Sequence, residues 1–174
     1  MSKTERRTAR LGGASLAALL LVTLSGPGLT RAAAPETYSL SGYEIWFTPS
    51  VGVFAGTGNG HAGDLSAWFS SIEHSQVISP SGTIIGGWAT LYRLDGVSIS
   101  GHFSGGTIVQ TNDGAGCTAE WHSVTGELTG VRRSDTAALG SGEFQVTLVH
   151  HRAWLFGRCI SYSASVSGSI SLSF

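Results

Sequence analysis

Glu120, His122 and the pair His150-His151 are the residues of this chain whose types and spacing best suit chemistry. A carboxylate that orients an imidazole makes a general base, and histidine together with glutamate can hold zinc. Glu120 and His122 stand two apart, so in an extended segment they share one face. If the hairpin through Arg132 to Gly140 is roughly symmetric, Glu120 comes beside His150 on the next strand. A slip of one residue would put the groups on opposite faces. Histidines on a strand are most often solvated, so the expectation is a water-facing surface with no catalytic role, no metal and no cofactor. Glu73-His74 and His102 lack a convincing partner.

Other chemical signatures are weaker. Gly58-Asn59-Gly60-His61-Ala62-Gly63 matches the dinucleotide fingerprint formally, but that motif needs a parallel strand before it and a helix after it. A glycine loop over a barrel mouth is the expectation instead. The sequence has no GxSxG elbow, no HExxH and no Ca²⁺ loop. Tryptophan is abundant, with five residues at 46, 68, 88, 121 and 154. Core packing explains most of them, because aromatics favour strands and dominate buried area. The remainder could form a ligand cup, and Trp68, Trp88, Phe103 and Trp121 are the candidates for lining it.

The elements that must position these groups are strands. From Ile160 to Phe174 apolar residues alternate with serines without a break, which builds one apolar and one hydroxyl face. Turn residues punctuate the chain at Ser79-Pro80-Ser81-Gly82, Asp95-Gly96, Asn112-Asp113-Gly114, Gly140-Ser141-Gly142 and Phe156-Gly157. Between them lie the runs 38–48, 51–55, 65–78, 83–93, 97–110, 117–129, 144–154 and 159–174. The segment from Leu65 could be helical by the spacing of Leu65, Trp68, Phe69 and Ile72, but the neighbouring hairpins need a partner, which favours a strand. Long strands with short connections make a meander that closes on itself to remove its edges. The fold class expected is therefore all-β, a seven- or eight-stranded antiparallel up-and-down barrel. A two-residue turn at Asp95-Gly96 would place Trp88 opposite Phe103 and Tyr92 opposite Ile99, all in a shared core. The same arithmetic at Phe156-Gly157 places Cys159 opposite Trp154.

Residues 1–33 read as a cleaved signal peptide, with Lys3, Arg6, Arg7 and Arg10 before the apolar run Leu11–Leu24 and Ala32-Ala33-Ala34 at the cut. A single domain of 34–174 follows. It keeps five arginines, no lysine and ten acids, a net of 5 − 10 = −5. Such a surface repels phosphate, so nucleic acid is excluded as a partner. Two cysteines, Cys117 and Cys159, in an exported chain imply one disulfide, which must cross the rim because their strands flank a third. Localisation is expected to be extracellular.

Glu73-His74, Gly105-Gly106-Thr107, Gly116-Cys117, Leu148–Arg152 and Leu155-Phe156-Gly157-Arg158-Cys159-Ile160 together resemble a group of small exported actinobacterial barrels with no assigned activity. The resemblance covers most of the domain and implies a barrel fold and an exported compartment, without a reaction. A looser similarity to barrels of the allene oxide cyclase and dirigent type rests on architecture, which does not carry function. The expected role is a secreted, soluble and non-catalytic barrel, a module for a small apolar ligand or a surface. Two alternatives stay open: an outer-membrane-type barrel with its apolar faces outward, and a barrel enzyme using the Glu/His cluster.

Overall fold

The computed structural model describes residues 34–75 and 80–174; the signal-peptide reading falls on residues outside that range. Eight antiparallel strands close into a barrel in sequence order: β1 Glu36–Thr48, β2 Val51–Gly60, β3 Leu65–His74, β4 Ser81–Arg93, β5 Ser98–Asp113, β6 Glu120–Arg133, β7 Leu139–Leu155 and β8 Arg158–Ser173. Pairing of β1 with β8, from Glu36↔Leu172 to Tyr43↔Ser165, makes the closing seam. A 3₁₀ turn, Ala115–Cys117, separates β5 from β6.

Alternation decides the inside. Leu40, Phe54, Trp68, Leu91, Ile99, Phe103, Val124, Leu128, Phe144, Val146, Val166 and Ile170 are buried in one core cluster. Hydroxyls such as the pairs Thr107–Thr125 and Thr37–Ser171 face outward. Along β8 from Ala164 onward the serines point out and Ala164, Val166, Ile170 and Leu172 point in, as the alternation requires. Ile160 and Tyr162 are exposed because the alternation breaks before Ala164: Tyr162 is the extra residue of a bulge, which flips the parity and leaves Ile160 outside and Ser161 at the mouth cavity.

The Asp95-Gly96 hairpin departs from the two-residue expectation. Arg93 and Val97 pair across a three-residue loop, with Gly96 at a φ of 86° closing it. Type I turns that end in such a residue make the three-residue hairpin. The pairing therefore shifts by one: Trp88 lies opposite His102, Leu91 opposite Ile99 and Tyr92 opposite Ser98. Phe103 and Ile99 stay inside, while Trp88 and Tyr92 turn outward. Gly58–Gly60 is also strand rather than loop, paired to Tyr38–Leu40.

At Phe156-Gly157 the two-residue turn holds, with φ of 50° and 74°, and Trp154 faces Cys159. Cys117 and Cys159 form the disulfide, with Cα atoms 5.6 Å apart. It ties the 3₁₀ turn across the rim of β7 to β8.

Candidate functional site

The inward line of several strands changes from hydrocarbon to polar at the same end of the barrel. On β1 the inward run is Tyr38, Leu40, Gly42 and then Glu44; on β3 it is Trp68, Ser70, Ile72 and then His74. On β6 Val124 gives way to His122 and Glu120, and on β7 Leu148 gives way to His150. These ends meet in a mouth cavity of about 430 Å³. Phe54, Ile72, Ile108, Val124 and Leu148 form its apolar walls, and Glu44, His74, Gln110, Glu120, His122 and His150 its polar side.

Glu120 and His150 are direct cross-strand partners, and a bulge between Leu128 and Val131, which shifts the register by one residue, is what brings His150 rather than His151 opposite Glu120. The expectation that they lie on a water-facing surface does not hold. His122 is 6% exposed, because its parity puts it on the core face rather than the outer one. Its Nε2 lies 3.4 Å from Glu120 Oε1, and its ring packs edge-on against His150 with centroids 5.4 Å apart. Burial pushes the His122 pKa below the usual imidazole value, with Glu120 opposing and His150 reinforcing the shift, so the ring is neutral at pH 7. Its Nδ1 is buried without a hydrogen-bond partner among the described residues.

Glu120 is held from two sides. Gln110 Nε2 donates to its Oε1 at 2.7 Å, and Arg152 Nη2 lies 3.4 Å from its Oε2. Arg152 in turn donates to the carbonyl of Asp113 at 3.0 Å. The disulfide-anchored turn thus buttresses the carboxylate: a Cβ on Gly114 would meet Arg152 Nη1 at 2.6 Å and Glu120 Cβ at 3.2 Å. Glu44 supplies a second carboxylate, with Oε2 3.0 Å from His150 Nε2. His74 Nδ1 contacts the carbonyl of Ser75 at 2.8 Å.

The four aromatic candidates for a ligand cup lie elsewhere than this cavity. Trp68 is buried in the core, where its indole N–H reaches the carbonyls of Ser41 and Thr57 at 3.2 and 3.1 Å. Gly56 makes that fit, since a Cβ there would meet Trp68 Nε1 at 2.7 Å. Phe103 packs edge-on against Phe144 in the core. Trp88 and Trp121 face outward. Glu44, Gln110 and Arg152 escaped sequence reasoning, although counting by twos from Tyr38 would have brought Glu44 inside.

A side opening reaches the same groups. β1 and β8 stop pairing at Tyr43↔Ser165, although β1 runs on to Thr48 and β8 starts at Arg158. Bulges at Ile45 on β1, between Glu44 and Trp46, and at Tyr162 on β8, opposite the His151–Arg152 step, accompany this parting. Bulges bend a strand out of its ladder. The gap is lined by Ile45, Trp46, Phe47 and Tyr162 with Glu44 and His150.

No protein-family model, curated protein or solved structure matches this chain.

Proposed function

We propose that this protein is an exported, soluble barrel that binds a small, mainly apolar molecule carrying a polar group, and holds it without transforming it. The carrying observation is the mouth cavity: about 430 Å³ of space with hydrocarbon walls and polar groups gathered on one side. Ligand sites of small molecules have this composition and size, the apolar wall giving affinity and the few polar atoms orientation. The disulfide and the basic and apolar N-terminal pattern support export. Inward packing of the apolar faces supports a water-soluble body over an outer-membrane barrel.

Nile red titrated into metal-free protein tests this reading. Saturable binding of one dye per chain is expected, and Val124→Phe, which fills the cavity, should weaken it while the β-sheet circular dichroism persists. Lack of saturable binding, or a Val124→Phe variant that binds as the wild type does, would overturn it. A second reading, an enzyme using Glu44 and His150 as a carboxylate–imidazole base, is favoured by their 3.0 Å contact beside apolar walls. Mass spectrometry of the molecule retained from culture medium separates the two: a binder returns it unchanged after incubation, and an enzyme returns a product.

A further inference from the structure

We propose that Glu120, His122 and His150 form a divalent transition-metal site of the zinc type, with its remaining coordination position open to the mouth cavity. The proposal stands on this polar side of the cavity and does not require an apolar ligand.

One ligand atom from each of the three residues lies within 4.8 Å of the other two. Donors around a tetrahedral zinc ion stand about 3.4 Å apart, given bonds of about 2.0–2.1 Å to nitrogen and oxygen. The Glu120–His122 pair already has that spacing, at 3.4 Å. Small side-chain rotations bring in His150, whose ring touches that of His122. Two histidines and one carboxylate with a fourth position free is the donor set of zinc sites that keep room for a water or a substrate atom.

Two independent observations point to a ligand here. His122 is more than nine-tenths buried and lines the cavity, with Nε2, the nitrogen that would coordinate, 3.4 Å from Glu120 Oε1. The outer groups also suit a metal. Glu44 contacts Nε2 of His150, the carboxylate–imidazole contact that fixes a ring whose other nitrogen coordinates. Gln110 and Arg152 fix the Glu120 carboxylate in the same manner. Rim position gives an entry path, and the neighbouring hydrocarbon keeps the dielectric low.

Isothermal titration of zinc(II) into chelator-stripped protein, with cobalt(II) absorption as a geometric reporter, tests the assignment. One zinc per chain is expected, together with a cobalt spectrum of low coordination number and a rise in melting temperature. His150→Ala and Glu120→Gln should each weaken binding by about tenfold or more, and Glu44→Gln by less. His151→Ala, whose ring contacts Ser165, should bind as the wild type does. Glu120→Gln is isosteric, so it reads the site even if removal of a ring disturbs folding. Failure to bind stoichiometric zinc, or equal affinity in wild type, Glu120→Gln and His150→Ala, would overturn the proposal.

Discussion

At the end of the barrel where β1 begins, Leu91, Ile99, Leu128, Val131, Ile170 and Leu172 fill the interior and leave a void of about 10 Å³. At the other end Glu44 of β1, His74 of β3, Glu120 and His122 of β6 and His150 of β7 stand around a cavity of about 430 Å³. The packed end also carries its charges outside the hydrocarbon: Arg133 pairs with Glu36 and Asp135 and lies over the Phe174 ring, with 5.6 Å from guanidinium carbon to centroid. Tyr38 donates to Glu36 at 2.9 Å, and burial with that contact pushes its pKa up to about 12. The open end instead has its ionisable groups facing inward. One end therefore supplies stability and the other accepts its loss, the division expected where a rigid scaffold carries a site.

The comparison can be broken most decisively with one chemical change made at both ends. Leu128 and Leu148 are both buried, but Leu128 borders the 10 Å³ void and Leu148 borders the mouth cavity. Leu128→Ala should cost about 4 kcal/mol, because a packed neighbourhood must hold a new cavity. Leu148→Ala should cost about 2 kcal/mol, since one side of that leucine already lacks contact partners. Urea denaturation of the two variants gives the values, and equal losses would mean that the two ends do not differ in packing.

The buried imidazole sharpens the contrast through pH. His122 has its folded-state pKa lowered, chiefly by burial, so the unfolded chain binds the proton more readily. Stability from this group is full above the unfolded value of about 6.5 and is lost as pH falls from there through the lowered folded value. In chelator-containing buffer, wild-type stability should therefore decline more steeply between pH 7 and pH 5 than that of His122→Gln. Parallel declines would show that His122 does not meet low pH as a buried neutral ring. Tyr38 works in the opposite sense at the packed end, where stability should fall as pH rises above about 10.

Fold and site were legible to different depths for one physical reason, the period of two in a strand. Ile160–Phe174 announced a strand outright, and a two-residue turn at Phe156-Gly157 located the β7–β8 hairpin to the residue; the structure gives both turn residues positive φ, at 50° and 74°. The approach of Glu120 to His150 followed from a roughly symmetric hairpin, while the bulge between Leu128 and Val131 sets the pairing to the residue. What counting could not supply was the choice of face. The Asp95-Gly96 loop holds three residues instead of two, and that one residue moved Trp88 and Tyr92 from the expected core to the surface. Likewise the cluster's burial depends on long-range closure: His122 is inside because β6 lies between β5 and β7 in a complete barrel. Glu44 reaches His150 only across the parted β1–β8 seam, a contact between residues separated by 106 positions that local patterns do not encode.

The smallest expected effect concerns the two tryptophans that sequence reasoning assigned to a pocket and the fold placed outside. Trp88 is 42% exposed and Trp121 is 44% exposed, and Trp121 sits between Glu120 and His122 with the opposite parity. Neighbours in a strand share a backbone and present opposite faces, so closeness in sequence here means separation by the barrel wall. Trp121→Ala and Trp88→Ala should each shift stability by about 1 kcal/mol or less and leave Nile red affinity and zinc affinity unchanged. Ile72→Ala, smaller by fewer atoms but on the inner wall, should alter dye affinity more than either. If Trp121→Ala weakened the dye while Ile72→Ala did not, the wall between the two faces would be in the wrong place, and with it the assignment of the inward polar end as the site.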